Sequence, residues 1–72
     1  MNDQDTFLEQ LWSAILSREE TEISRAYLSL DETSREIVVK HLQKMTSEEG
    51  WHSEQVKSAH KALQVIKKIG PI

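Results

Sequence analysis

Apolar residues recur at steps of three and four in four short blocks, separated by polar and cap-forming residues. In the first block Leu8, Leu11, Trp12, Ile15 and Leu16 share one face of a 3.6-residue repeat, which predicts an amphipathic helix. Ile23, Ala26, Tyr27 and Leu30 repeat the i, i+3, i+4, i+7 spacing in a second block. Ile37, Val38, His41, Leu42 and Met45 form the stripe of a third. Val56, Ala59, Leu63 and Ile66, flanked by Ala62, Val65 and Ile69, make the widest stripe in the fourth. The run Ile37-Val38-Val39 has strand character, but the charged residues around it keep the helical period.

The gaps carry helix-start and helix-stop chemistry. Thr6 with Glu9 and Ser17 with Glu20 each spell a capping box, in which a hydroxyl and a carboxylate satisfy orphan amides reciprocally. Asp31 is placed to cap the third helix and Ser53 the fourth. Thr46 to Ser53, with Gly50 as its turn residue, is the longest irregular stretch, and Gly70-Pro71 stops the last helix. These marks predict a disordered tail over residues 1–5 and a single helical domain over 6–70. The expected fold is all-α: four short helices arranged as two antiparallel helical hairpins in one compact bundle-like domain. Its core is expected to contain Leu8, Leu11, Ile15, Ile23, Leu30, Val38, Leu42, Met45, Val56, Leu63 and Ile66. The two halves align weakly at shifts of 31 and 33 residues, a match that two amphipathic hairpins produce by chance.

Length and charge refine this picture. At 72 residues the chain sits near the lower limit for a single core, so a partner or a second copy would add stability. It has no cysteine, hence no disulfide and no zinc–thiolate site. The acidic start, Met1-Asn2-Asp3-Gln4-Asp5, does not resemble a signal peptide, and no apolar run is long enough to span a bilayer. A cytoplasmic, bacterial-type setting without membrane contact is the expectation. The net charge of −3 conceals an asymmetry. Residues 1–36 hold nine acids against three arginines, a balance of −6, and residues 37–72 hold six lysines against three glutamates, a balance of +3. The simplest reading is that the halves attract each other within one fold; a head-to-tail contact between copies is the sharper one.

Candidate chemistry is sparse. The carboxylates concentrate where helix first turns are predicted, and capping accounts for them without acid–base catalysis. The serines lack a glycine-rich elbow or an evident histidine–aspartate companion. His41, His52 and His60 are the only imidazoles, and no two share the i, i+4 spacing that aims two ligands at one ion. No catalytic, cofactor or metal residue is therefore assigned, and the chain is read as a non-enzyme with no cofactor. His41 is expected at the core boundary with a satisfied hydrogen bond.

What remains is surface. Gly50-Trp51-His52-Ser53 places a tryptophan on a connection, either as a staple folded back on Val56 or Met45 or as a recognition edge. Phe7 and Trp12 are read first as core and core edge; the alternative is that Phe7, Trp12 and Tyr27 extend an apolar patch beyond so small a core. Lys57, Lys61 and Lys68, with Lys67 and Gln64 beside them, form a polar ridge. That ridge has no arginine and no interleaved aromatic, which argues against nucleic acid. The candidate partner-binding residues are Trp12, Trp51, His52, Lys57 and Lys61. The function expected is a small protein–protein interaction or regulatory module, its partner another protein or itself as a homodimer. The alternatives are a nucleic-acid-associated regulator using the basic last helix, and a structural homo-oligomer.

Overall fold

The computed structural model describes the backbone of residues 3–70 and the side chains of residues 7–70. Four helices follow one another: α1 (Asp3–Ile15), α2 (Glu20–Leu28), α3 (Glu32–Ser47) and α4 (Ser53–Ile69). No strand occurs among the described residues. The connections are short, so consecutive helices turn back on one another. α1 packs on α2 and α3 packs on α4, and the α2–α4 contact joins the two hairpins into one bundle-like domain.

Helix starts differ from the sequence reading in three places. α1 begins at Asp3, so Thr6 lies inside the helix and is not its cap. Met1 and Asn2, part of the expected tail, lie outside the described residues, as does Pro71. α2 starts at Glu20 after Glu19, whose side chain makes no capping bond. Ser17 instead accepts from the Glu19 amide (3.2 Å) and donates to the Ala14 carbonyl (2.7 Å), closing the end of α1. α4 is capped at His52, one residue before the expected Ser53, and the Gln55 side chain accepts from the His52 amide at 3.2 Å. Asp31 does cap α3, its carboxylate accepting from the Ser34 amide at 2.8 Å. That amide, the Ser34 hydroxyl and then Arg35 hold the Asp31 carboxyl below the usual aspartate range.

The core consists of Ile15, Ile23, Leu30, Val38, Val39, Leu42, Met45, Ala59, Ala62, Val65 and Ile66. Leu11, Trp12, Leu16, Tyr27, Trp51 and Leu63 are partly buried against it. Leu8, expected inside, is 43% exposed: it faces the core side of α1, but near the helix start too little lies over it. On α3 the buried stripe is turned by one residue. Val39 is buried, whereas Ile37 is 61% exposed and His41 is exposed. Val56 is only half-buried, and the buried residues of α4 are Ser58, Ala59, Ala62, Val65 and Ile66.

Two arginines tie the helices together. Arg35 of α3 donates to the Tyr27 and Leu28 carbonyls at 3.2 and 3.0 Å at the end of α2, where the Tyr27 carbonyl also accepts from the Leu30 amide at 3.1 Å. Its guanidinium also sits 5.3 Å from the centre of the Tyr27 ring. Arg18, between α1 and α2, has a left-handed backbone (φ 67°), unusual for a residue with a side chain. This turn sends the guanidinium across to the start of α4. There Nε donates to Ser58 Oγ (2.9 Å), and Nη2 donates to the Glu54 carbonyl (2.8 Å) and carboxylate (2.9 Å). The buried Ser58 hydroxyl in turn donates to the Glu54 carbonyl at 3.0 Å.

Candidate protein-docking face

Trp12, His41 and Trp51 come from three different elements and meet at the surface. Trp12 lies on α1, one helical turn after Leu8, and reaches His41 on α3, with ring centroids 4.9 Å apart and planes tilted by 58°. Trp51 lies in the connection 48–52 and meets the His41 ring edge-on, with centroids 5.9 Å apart and planes at 85°. Both tryptophans are half-buried and the imidazole is exposed. Offset and edge-on geometries suit ring quadrupoles, and each such pair contributes about 0.5–1.5 kcal/mol beyond its buried area.

Local sequence explains how Trp51 reaches this place. α3 ends at Ser47, and Gly50 adopts φ 98°, a left-handed turn that favours glycine. The chain therefore reverses before α4. Trp51 immediately precedes the cap His52, and Val56 occupies the fourth helical position, the register of a hydrophobic staple. The Trp51 indole N–H points to the Glu48 carboxylate at 3.5 Å, the outer limit of a hydrogen bond. Trp51 is thus packed against the core and half-buried, as a staple requires.

Two exposed aliphatic side chains share helix faces with the triad. Leu8 precedes Trp12 by four residues and Ile37 precedes His41 by four, so each pair shares one face of its helix. Both aliphatic side chains are substantially exposed. On α3, Ile37, Lys40, His41 and Lys44 form an exposed i, i+3, i+4, i+7 stripe. The expectation that His41 is a boundary histidine with its own hydrogen bond is replaced by this ring contact. The patch expected from Phe7, Trp12 and Tyr27 is not a single surface. Phe7 lines a groove between α1 and α2 with Leu11 and Ala26, while Tyr27 lines another with Arg35 and Val39.

The other candidates lie elsewhere. His52 is exposed at the cap of α4, adjacent in sequence to Trp51. Lys57 is engaged with Glu54 at 3.3 Å, on the same carboxylate that Arg18 holds. Arg18 first, and then Lys57, keep the Glu54 carboxyl below the usual glutamate range. Lys68 pairs with Glu20 across the hairpins at 3.4 Å, so part of the charge asymmetry is used inside the fold. Lys61 is half-buried. The structure therefore brings Trp12 and Trp51 together through His41 and sets Lys57 and Lys61 apart from them. His41 and Ile37 were missed as site residues because the helical stripe assigned both to the core side. The chain matches no protein-family model, and comparison with curated proteins and with solved structures gives no match.

Proposed function

We propose that this protein is a small interaction module that docks another protein chain on the α1–α3 face. The observation that carries this reading is the pair of half-open tryptophans flanking an exposed histidine, with Leu8 and Ile37 uncovered beside them. Tryptophan concentrates binding energy at protein interfaces because it offers a large rigid surface at little entropic cost. Trp12 and His41 are held on helices and Trp51 is packed against the core, so less ordering is left to be lost on binding. The basic ridge of α4 offers weaker support for nucleic-acid binding, since Lys57 and Lys68 already serve carboxylates of this chain.

The test is site-specific photo-crosslinking in the cells that produce the protein, with the reactive side chain at position 37 or at position 57. Both positions are exposed, so neither insertion disturbs the core. Adducts to protein from position 37 and not from position 57 are expected. Absence of any protein adduct at position 37 refutes the docking face.

A further inference from the structure

We infer that the partner segment docked on this face is acidic and amphipathic, with carboxylates over Lys40 and Lys44 and a large apolar side chain against Ile37. The inference rests on the docking-face reading above and adds the chemistry of the partner.

Helical geometry orders the exposed residues of α3 into two edges. At 3.6 residues per turn, His41 lies to one side of Ile37, and Lys44 and Lys40 lie to the other. His41 marks an aromatic edge, because Trp12 and Trp51 both meet its ring. Lys40 and Lys44, one turn apart and exposed, make a basic edge. Ile37, 61% exposed, sits between the two. From Ile37 to Lys44 the stripe is about 10 Å long, a length that two to three turns of a partner helix cover.

Charge selects the partner. The ion pairs among the described residues join Arg18 and Lys57 to Glu54 and Lys68 to Glu20, and Lys40 and Lys44 take part in none. The neighbouring acids are placed elsewhere. Glu36 lines the hollow beside Tyr27 and Arg35, which Lys40 borders from the other side. Glu48 lies at the Trp51 indole N–H, and Glu9 lines a hollow between α1 and α2 with Ser17 and Glu22. A basic segment would set like charges against both ammonium groups, and an apolar one would strip their water without replacing it. Carboxylates compensate both, and the lysine stems add apolar cover beside Ile37.

Nucleic acid fits less well. The chain carries a net charge of −3, which opposes the approach of a polyanion. Arg35, the one arginine of α3, is committed to the Tyr27 and Leu28 carbonyls. Two ammonium groups one turn apart match two carboxylates on a short segment better than a long phosphate track.

The experiment extends the crosslinking from position 37. The partner peptide attached there is sequenced by mass spectrometry, synthesised, and titrated against the full chain by fluorescence anisotropy in low and in high salt. Three proteins are compared: the wild type, Lys40→Glu with Lys44→Glu, and Lys67→Glu with Lys68→Glu, which changes the net charge equally but on α4. The peptide is expected to be net negative and to hold a large apolar residue. Its binding should weaken in high salt, because exposed charges are screened beyond about 10 Å at 0.1 M. The exchange at 40 and 44 should weaken binding about tenfold, and the exchange on α4 less than about twofold. Replacing the acids of the peptide by lysine should restore binding to the protein exchanged at 40 and 44. Far-ultraviolet circular dichroism checks folding; the exchanged side chains are all exposed, so helicity should be unchanged. A neutral or basic peptide, a nucleic-acid adduct or an adduct to a second copy of this chain overturns the acidic partner. So does a peptide that fails to bind, or one that both exchanges weaken alike or neither weakens. A different protein attached at position 37 through a segment that is not acidic ends this inference and leaves the docking face standing; no protein adduct at position 37 ends both.

Discussion

Replacing Arg18 by alanine and by glycine separates two opposing contributions at one residue. The side chain donates from Nε to the buried Ser58 hydroxyl and from Nη2 to the Glu54 carbonyl. A net intramolecular hydrogen bond contributes about 1 kcal/mol, so removing these two costs about 2 kcal/mol. The exposed carboxylate of Glu54 is left out of that sum, because solvent screens it. The backbone works in the other direction. At φ 67° a residue with a Cβ bears a cost of about 1–2 kcal/mol that glycine does not. Arg18→Ala loses the bonds and keeps the strain; Arg18→Gly loses the bonds and relieves it, against some added freedom in the unfolded chain. The expected order of stability is wild type, then Arg18→Gly at a loss of about 1 kcal/mol, then Arg18→Ala at about 2 kcal/mol. Urea unfolding followed by helical circular dichroism measures both, and equal slopes for the three proteins would validate the comparison. In thermal melts 1 kcal/mol corresponds to about 4–8 °C for a domain of this size. Arg18→Ala as stable as the wild type would refute the bridging role, and Arg18→Gly below Arg18→Ala would refute the strain.

Acid should destabilise the fold through two identified groups. The Asp31 and Glu54 carboxyls are held below their ordinary range in the folded protein, so their stabilisation is present at neutral pH and is lost as pH falls through the carboxylate range. Melting temperature should decline between pH 6 and pH 3, and Asp31→Asn with Glu54→Gln should flatten that decline. Core depth can be ranked by truncation. Leu42→Ala, at a fully buried position, should cost roughly 2–5 kcal/mol in urea unfolding, whereas Leu8→Ala should cost clearly less. His41→Ala removes both ring contacts, so the near-ultraviolet circular dichroism of the tryptophans should fall while helicity stays. An unchanged tryptophan signal would mean that the rings are not held together.

The helices were legible because each carries its own period and several carry their own stop signals. Asp31 could be identified as a cap from its sequence position alone, since a cap bond reaches only three residues. Which side of α3 faces inward could not be read. Ile37, Val38 and Val39 are consecutive, so stripes beginning at Ile37 or at Val38 fit the period, and packing against α4 decides between them. On α4 Ile66 is buried as its stripe predicts, but Val56 and Leu63 are only partly buried, and Ala59, Ala62 and Val65 fill the interior instead. Arg18 was illegible for a different reason: its partners lie 36 and 40 residues away. Trp12 and Trp51 were singled out from the sequence as rare aromatics at a helix and a turn. Their meeting through His41 depends on the reversal at Gly50, which no local pattern specifies.

The most direct test of the docking face is a residue-resolved map of where the protein is touched. Two-dimensional nitrogen–proton spectra, recorded alone and with the protein that crosslinks from position 37, provide it, read at the backbone amides and at the two indole N–H groups. Shifts at Ile37, His41, Lys44 and the Trp12 and Trp51 indoles, with Lys57, His60 and Gln64 unmoved, are the predicted result. Shifts confined to Lys57, His60 and Gln64 would move binding to the exposed ridge of α4 and contradict the account.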